Sequence, residues 1–65
     1  MMLSEALVKL ETARALISQS LEAFSTNNDR EGHRTIALAR TEILNAENII
    51  EAVQVRLRET IEKVN

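Results

Sequence analysis

The first part of the chain carries apolar residues at alternating steps of four and three. The members of this series are Leu3, Leu7, Leu10, Ile17, Leu21 and Phe24. Side chains at these steps share one face of an α-helix, so the series predicts a heptad seam, which Arg14 interrupts where an apolar residue belongs. Beside it runs a series of small residues that would let another helix approach closely: Ala6, Ala13 and Ser20. With Ser4 as its N-cap, helix 1 is expected over about residues 4–25.

A run of small polar residues, Ser25-Thr26-Asn27-Asn28-Asp29, ends this pattern. Each of these side chains can hydrogen-bond its own backbone, which predicts a loop over about residues 26–29. Asn28 and Glu31 have the spacing of a capping box, so helix 2 is expected from about residue 30 to about residue 64. Its signal is stronger, because an aliphatic residue recurs every seven positions without a gap. This series is Ile36, Ile43, Ile50, Leu57 and Val64, with Ala39, Ala46 and Val53 at the companion positions.

A short loop between two seams predicts an antiparallel helical hairpin, hence an all-α protein with one domain over residues 1–65. Helix 2 is the longer of the two, and its C-terminal end is expected to overhang by roughly 15 Å. Leu57, Ile61 and Val64 would then have no partner on helix 1. Further aliphatic residues lie off the main seam: Val8, Leu16, Leu38, Leu44, Ile49 and Val55.

The composition leaves few ways to stabilise so small a chain. Its 65 residues include no Cys, which excludes disulfides, and one His, which nearly excludes a structural zinc site. We therefore predict a homo-oligomeric helical bundle, either a four-helix dimer or a larger ring or cage of hairpins. The alternative is a monomer with scattered exposed aliphatic side chains, which is ordinary for one residue but not for this many.

Charge and hydropathy exclude several kinds of partner. The net charge is −2, and no apolar run approaches the ~20 residues of a membrane span. Neither a nucleic acid polymer nor a membrane is therefore expected as a partner. The start of the sequence lacks the basic region of a signal peptide, so we expect a cytoplasmic protein, in the cytosol of the host cell.

The residue types do not suit catalysis or metal binding. His33 is the only His, and together with Asp29 it offers two ligands where a metal site needs three or four. Glu47 and Glu51 lack the Glu-x-x-His partners of di-metal bundles, and there is no glycine-rich phosphate loop. No catalytic residue, cofactor or metal is therefore predicted, and the protein is not expected to be an enzyme.

Positive charge is concentrated at the start of helix 2. The candidate ligand-binding residues are Arg30, His33, Arg34, Arg40 and Thr41. The arginine fork suits phosphate, a hydroxyl adds a short donor, and a helix N-terminus contributes free N–H groups. These features favour a site for a small phosphorylated ligand. The alternative is a charged helix surface in which Arg30, Arg34 and Arg40 pair with Glu31, Glu42 and Glu47.

The segment over residues 34–50, RTIALARTEILNAENII, resembles the core of the phage helical-hairpin proteins known as anti-CBASS and anti-Thoeris sponges. Their pattern is an Arg, then Ala-x-Thr-x-aliphatic-x-x-Ala-Glu, then an aromatic or aliphatic pair. The matching residues are Arg34, Ala39, Thr41, Ile43, Ala46, Glu47 and Ile50. The resemblance covers about a quarter of the chain, and its motif is short and made of common helix residues.

The resemblance implies that the protein binds a cyclic nucleotide immune signal without cleaving it. Such sponges hold cyclic oligonucleotides or cyclic ADP-ribose isomers in pockets between packed hairpins, away from the effector. Carried over, Arg34 and Arg40 would contact phosphate and Thr41 would add a hydroxyl bond, while Arg30 and His33 are candidates by position. The chain departs from the family in two respects. It lacks a Tyr or Trp that could stack on a base, and its one aromatic residue, Phe24, is expected to be buried. It is also shorter at its N-terminus than the fuller members.

Two other functions fit the same pattern. A hairpin with apolar flanks suits a protein-interaction module, such as a chaperone partner or a regulator. A four-helix dimer of hairpins could also bind RNA, but this needs a continuous basic face, and the acidic balance argues against one.

Overall fold

A computed structural model describes residues 2–64, apart from the side chain of Val64. It contains two α-helices, α1 (Met2–Ser25) and α2 (Asp29–Val64), which pack against each other, and residues 2–64 include no strand. The all-α hairpin is confirmed. α1 begins two residues before Ser4, which lies inside the first turn rather than at its cap, because Met and Leu extend a helix readily.

Asn27 builds the turn between the helices. Its φ of 61° lies in the left-handed region, which Asn tolerates better than most residues. The Asn28 N–H donates to the Ala23 carbonyl at 2.8 Å, and the Asn27 N–H donates to the Phe24 carbonyl at 3.1 Å. These bonds form a Schellman motif that ends α1. Asn28 then caps α2, because its Oδ1 accepts a hydrogen bond from the Glu31 N–H at 3.4 Å.

Small residues form the contact between the two helices. The buried positions are Ala6, Ala13, Ser20 and Ala23 on α1, and Gly32, Thr35, Ala39 and Ala46 on α2. No large apolar side chain among the described residues is buried. The expectation that the Leu and Ile heptads form the seam within the hairpin is therefore wrong. The buried positions belong to series of small residues beside the bulky ones, and small side chains let the two backbones approach more closely.

Two polar contacts show the register of the hairpin. The hydroxyls of Ser20 and Thr35 lie 2.5 Å apart and are buried, while Lys9 Nζ lies 3.9 Å from Glu42 Oε2 near the edge of the seam. From the Ser20–Thr35 pair to the Lys9–Glu42 pair, the residue number decreases along α1 and increases along α2. The two helices are therefore antiparallel. Both buried hydroxyls also lie within bonding distance of backbone carbonyls, and neither is left unsatisfied.

Gly32 makes room for the ring of Phe24 where the hairpin turns. A Cβ at position 32 would lie 2.6 Å from Phe24 Cε1 and 2.7 Å from Cζ, closer than carbon atoms can pack. The ring therefore covers the backbone of α2. Phe24 is nevertheless 40% exposed, so the expectation that it is buried is wrong.

The bulky aliphatic residues lie together on one uncovered side of the hairpin. Leu10 and Ile17 of α1 and Ile43 of α2 line one shallow groove, and steps of seven keep the rest of each series on the same side. We call this surface the aliphatic face: Leu3, Leu10, Ile17 and Phe24 of α1, with Ile36, Ile43 and Ile50 of α2. All of these except the half-buried Ile43 count among the fifteen large apolar side chains that are exposed within residues 2–64.

The C-terminal end of α2 extends beyond α1. α2 has 36 residues and α1 has 24, a difference of about 18 Å of helix. Every residue from 54 to 63, here called the overhang, is exposed, including Leu57 at 55% and Ile61 at 60%. The expectation that Leu57 and Ile61 have no partner on α1 is confirmed. The side chain of Val64, the third residue of that expectation, lies outside the described part.

Candidate ligand-binding site

Three of the five predicted site residues line a single open cleft on the outer side of α2. The cleft is lined by His33, Ile36, Ala37, Arg40, Thr41 and Leu44. Positions three, four, seven and eight apart share one face of a helix, so the spacing alone brings His33, Arg40 and Thr41 together. Ile36 belongs to both the cleft and the aliphatic face, so the cleft opens at the edge of that face.

The polar groups in the cleft can still form hydrogen bonds with a ligand. Within the part of the chain that the structure describes, the side chains of His33 and Arg40 form no hydrogen bond or ion pair. The Thr41 hydroxyl donates to the Ala37 carbonyl at 3.2 Å, which leaves its oxygen lone pairs to accept. A guanidinium, an imidazole and a hydroxyl beside two aliphatic side chains suit a ligand with both anionic and flat apolar parts.

Arg34 lies outside the cleft and is held by a carboxylate. Its Nε donates to Glu31 Oε2 at 3.1 Å and its Nη2 to Oε1 at 2.5 Å, a bidentate pair one turn apart. The hydrogen bond from Arg34 lowers the pKa of the Glu31 carboxyl, and the same bond raises the pKa of Arg34. The Glu31 carboxylate therefore does not complete the capping box with Asn28, whose N–H already donates to Ala23. The side chain of Arg34 is 62% exposed.

Arg30 is exposed on the first turn of α2 and does not line the cleft. The alternative of a fully paired charged surface is realised in one of its three pairs, Arg34 with Glu31. Glu42, one of the carboxylates in this alternative, lies instead beside Lys9 of α1. The cationic residues thus divide into a paired Arg34 and the exposed Arg30 and Arg40.

Arg14 is a residue of this region that the sequence pattern marked only as an interruption. It lines the groove that contains Leu10, Ile17 and Ile43, at the α1 edge of the aliphatic face. The Lys9–Glu42 contact and the Ser20–Thr35 contact place Arg14 at about the level of Arg40. The aliphatic face is therefore flanked by one arginine on each side, and the gap in the first heptad series was the signal for it.

A metal site and a membrane-spanning helix each require a particular arrangement of residues. Within residues 2–64, no group of three or more His, Asp or Glu side chains is placed to hold a metal ion. Neither α1 nor α2 has a stretch apolar enough, over the needed length, to cross a membrane.

Comparison of this chain with protein-family models, with curated proteins and with solved structures gives no match.

Proposed function

We propose that this hairpin is a non-catalytic binding protein that assembles with copies of itself and sequesters a cyclic nucleotide signal. The observation that carries the proposal is the open cleft of His33, Arg40 and Thr41 at the edge of an uncovered aliphatic face. Assembly accounts for the aliphatic face, and a phosphorylated ligand accounts for the donors beside it. The sponge-like pattern over residues 34–50 adds the class of ligand, a cyclic oligonucleotide or a cyclic ADP-ribose isomer.

Self-assembly is favoured by where the apolar surface lies. A buried methyl group contributes about 0.8 kcal/mol, whereas full burial of a Leu or Ile side chain contributes about 1.5–3 kcal/mol. The hairpin buries alanines and leaves its leucines and isoleucines at least partly exposed. Most of the stabilisation that the sequence can provide is therefore realised only when another surface covers the aliphatic face.

The ligand needs the assembly as well. The hairpin measures 57 × 15 × 12 Å, so it is about one helix thick and cannot enclose a small molecule. One copy supplies one wall of a pocket, and a neighbouring copy supplies the other. Arg40, His33 and Thr41 would contact phosphate and hydroxyl groups, with Ile36 and Leu44 against the flat parts of the ligand. Arg30 and Arg34 lie beyond the cleft, and the Nε edge of Arg34 is already occupied by Glu31.

A thermal-shift titration with a panel of cyclic di- and trinucleotides and cyclic ADP-ribose isomers tests this function. A ligand at a hundredfold excess over its Kd stabilises the folded state by about 2.7 kcal/mol, which raises the Tm of a chain this size by roughly 10–20 °C. Arg40→Ala should remove the shift, and Arg56→Ala, which changes an exposed arginine outside the cleft, should keep it. If no member of the panel shifts the Tm at millimolar concentration, the proposal is wrong.

A protein-interaction module is the second candidate, and aliphatic residues away from the aliphatic face favour it. Val8 is 61% exposed and Leu38 is 44% exposed, and neither lines the cleft. Such a module would be recovered from its host as a stable heteromer of defined mass, and cyclic nucleotides would leave its Tm unchanged. Native mass spectrometry of protein purified from the host separates the two functions, because it reports partners, copy number and any bound nucleotide together.

A further inference from the structure

We infer that two copies of the hairpin pack through their aliphatic faces in antiparallel orientation, about a two-fold axis near Ile43, so that Arg40 of each copy pairs with Glu47 of the other. The occupant of the aliphatic face is thus a second copy of this chain. The inference rests on the assembly in the proposed function but not on its ligand. It specifies the orientation of the two copies, which that function leaves open.

The charges on α2 are complementary about this axis. Arg40 precedes Ile43 by three residues and Glu47 follows it by four, so both lie on the same side of α2 as Ile43. Both are exposed, and neither side chain has a partner within residues 2–64. A two-fold axis near Ile43 brings α2 of one copy against α2 of the other, running in the opposite direction. Arg40 then lies opposite Glu47 of the second copy, and the same pair repeats on the other side of the axis.

The same axis covers the overhang. Leu57 follows Ile43 by fourteen residues, and Asp29 precedes it by fourteen. Antiparallel packing therefore places Leu57 and the neighbouring Ile61 against the loop end of the second copy, where the ring of Phe24 is partly exposed. The overhang thus gains its cover from the second hairpin.

The parallel orientation lacks both advantages. With the two loops at the same end, α1 of one copy would lie on α2 of the other. Arg14 and Arg40 stand at about the same level on opposite edges of the aliphatic face, so this packing would set Arg14 beside Arg40 of the second copy. Like charges placed together in an interface are unfavourable.

The size of the surface also suits a stable dimer. A side of the hairpin 57 Å long and 15 Å wide is comparable to the ~800 Å² per partner that a standard interface buries. Arg40 still reaches the cleft in this arrangement, because a guanidinium has five N–H donors on more than one edge. One edge can face Glu47 of the second copy while another faces His33 and Thr41.

Charge reversal tests the pairing, with the dimer dissociation constant as the readout and no ligand present. Glu47→Arg puts two arginines together and should weaken the dimer by at least about tenfold, and Arg40→Glu should do the same. The double variant Arg40→Glu with Glu47→Arg restores opposite charges, and its affinity should recover. Glu5→Arg is the matched control: it makes the same charge change at an exposed position beside Val8, off the aliphatic face, and should alter the affinity by no more than about twofold. A double variant no tighter than the single ones would overturn the pairing.

A distance measurement tests the orientation independently. The chain has no Cys, so Glu59→Cys gives a single attachment site for a spin label in the exposed overhang. Antiparallel packing about Ile43 predicts a separation between the two labels of roughly 50 Å, and parallel packing predicts one below about 25 Å. The absence of the long distance would overturn the inference. It would leave the cyclic nucleotide proposal standing, because that proposal is decided by the thermal-shift panel.

Discussion

At the scale of single residues, Gly32 and Phe24 show how the hairpin depends on a missing side chain. Gly in a helix usually costs about 1 kcal/mol relative to Ala, and by propensity alone Gly32 weakens the first turn of α2. The structure gives the reason for its presence, since the Phe24 ring occupies the space where a Cβ would lie. The cost to the helix is thus tied to a contact between the two helices.

This contact predicts strongly coupled substitutions at the two positions. In a chain that keeps the aromatic ring, Gly32→Ala should fail to stabilise the protein, because the ring must leave its place over α2. In the Phe24→Ala background the same substitution should stabilise by about 0.5–1 kcal/mol, the ordinary gain in helix propensity. Urea unfolding of the four proteins at one fixed concentration measures the coupling. Equal effects of Gly32→Ala in both backgrounds would show that the ring does not rest on Gly32.

At the scale of helices, the sequence predicted the two elements well and their contact poorly. Two apolar periodicities separated by the polar run around Asn27 and Asn28 were sufficient to predict two helices and an antiparallel turn. The choice of seam needed more information, because two series on α1 repeat every seven residues, one small and one bulky. Periodicity says that each series forms a stripe, but not which stripe faces the other helix. That choice depends on how closely the backbones approach, which only the three-dimensional packing decides.

The candidate site was likewise predictable from the sequence only in part. His33, Arg40 and Thr41 share the cleft because their spacing follows the helical repeat, and spacing is visible in a sequence. Arg34 lies seven residues before Thr41, a spacing that also shares a helix face, yet it lies one residue from His33 and pairs with Glu31. Whether the Arg34 guanidinium binds the Glu31 carboxylate or a ligand depends on side-chain rotamers and distances, which the sequence does not contain. The sequence therefore offered both outcomes for Arg34 without deciding between them.

Close approach of the helices predicts that the small seam does not tolerate a large side chain. Ala13 is 2% exposed against α2, whereas Ala15 of the same helix is exposed. Ala13→Leu should destabilise the hairpin by about 1–3 kcal/mol or more, because the helices must separate to admit the added carbons. Ala15→Leu should change stability by no more than about 0.5 kcal/mol. Thermal unfolding followed by circular dichroism compares them, and equal stabilities would mean that the small residues do not form the seam.

At the scale of the whole molecule, the small and the large apolar residues of the hairpin lie in different places. The small residues determine how α1 and α2 meet, and the large ones remain on the aliphatic face and the overhang. The polar contacts between the helices, the buried hydroxyls of Ser20 and Thr35 and the Lys9–Glu42 ion pair, involve none of the large apolar side chains. Close contact of small residues thus joins the two helices, while most of the large apolar side chains remain exposed.

This division predicts that folding and assembly are thermodynamically linked. If the aliphatic face is covered by a second copy, tenfold dilution should lower the Tm by roughly 5 °C, since mass action favours dissociation and each dimer unfolds as about 130 residues. Ile17→Asp places a charge on the aliphatic face, and it should abolish the dimer and lower the Tm sharply. Val8→Asp introduces the same charge on α1 at a more exposed position off this face, and it should leave the dimer intact. Analytical ultracentrifugation and calorimetry over a hundredfold range of concentration measure both properties. A Tm that does not change with concentration, together with a monomeric mass, would mean that the hairpin is stable alone and that its aliphatic residues serve no assembly.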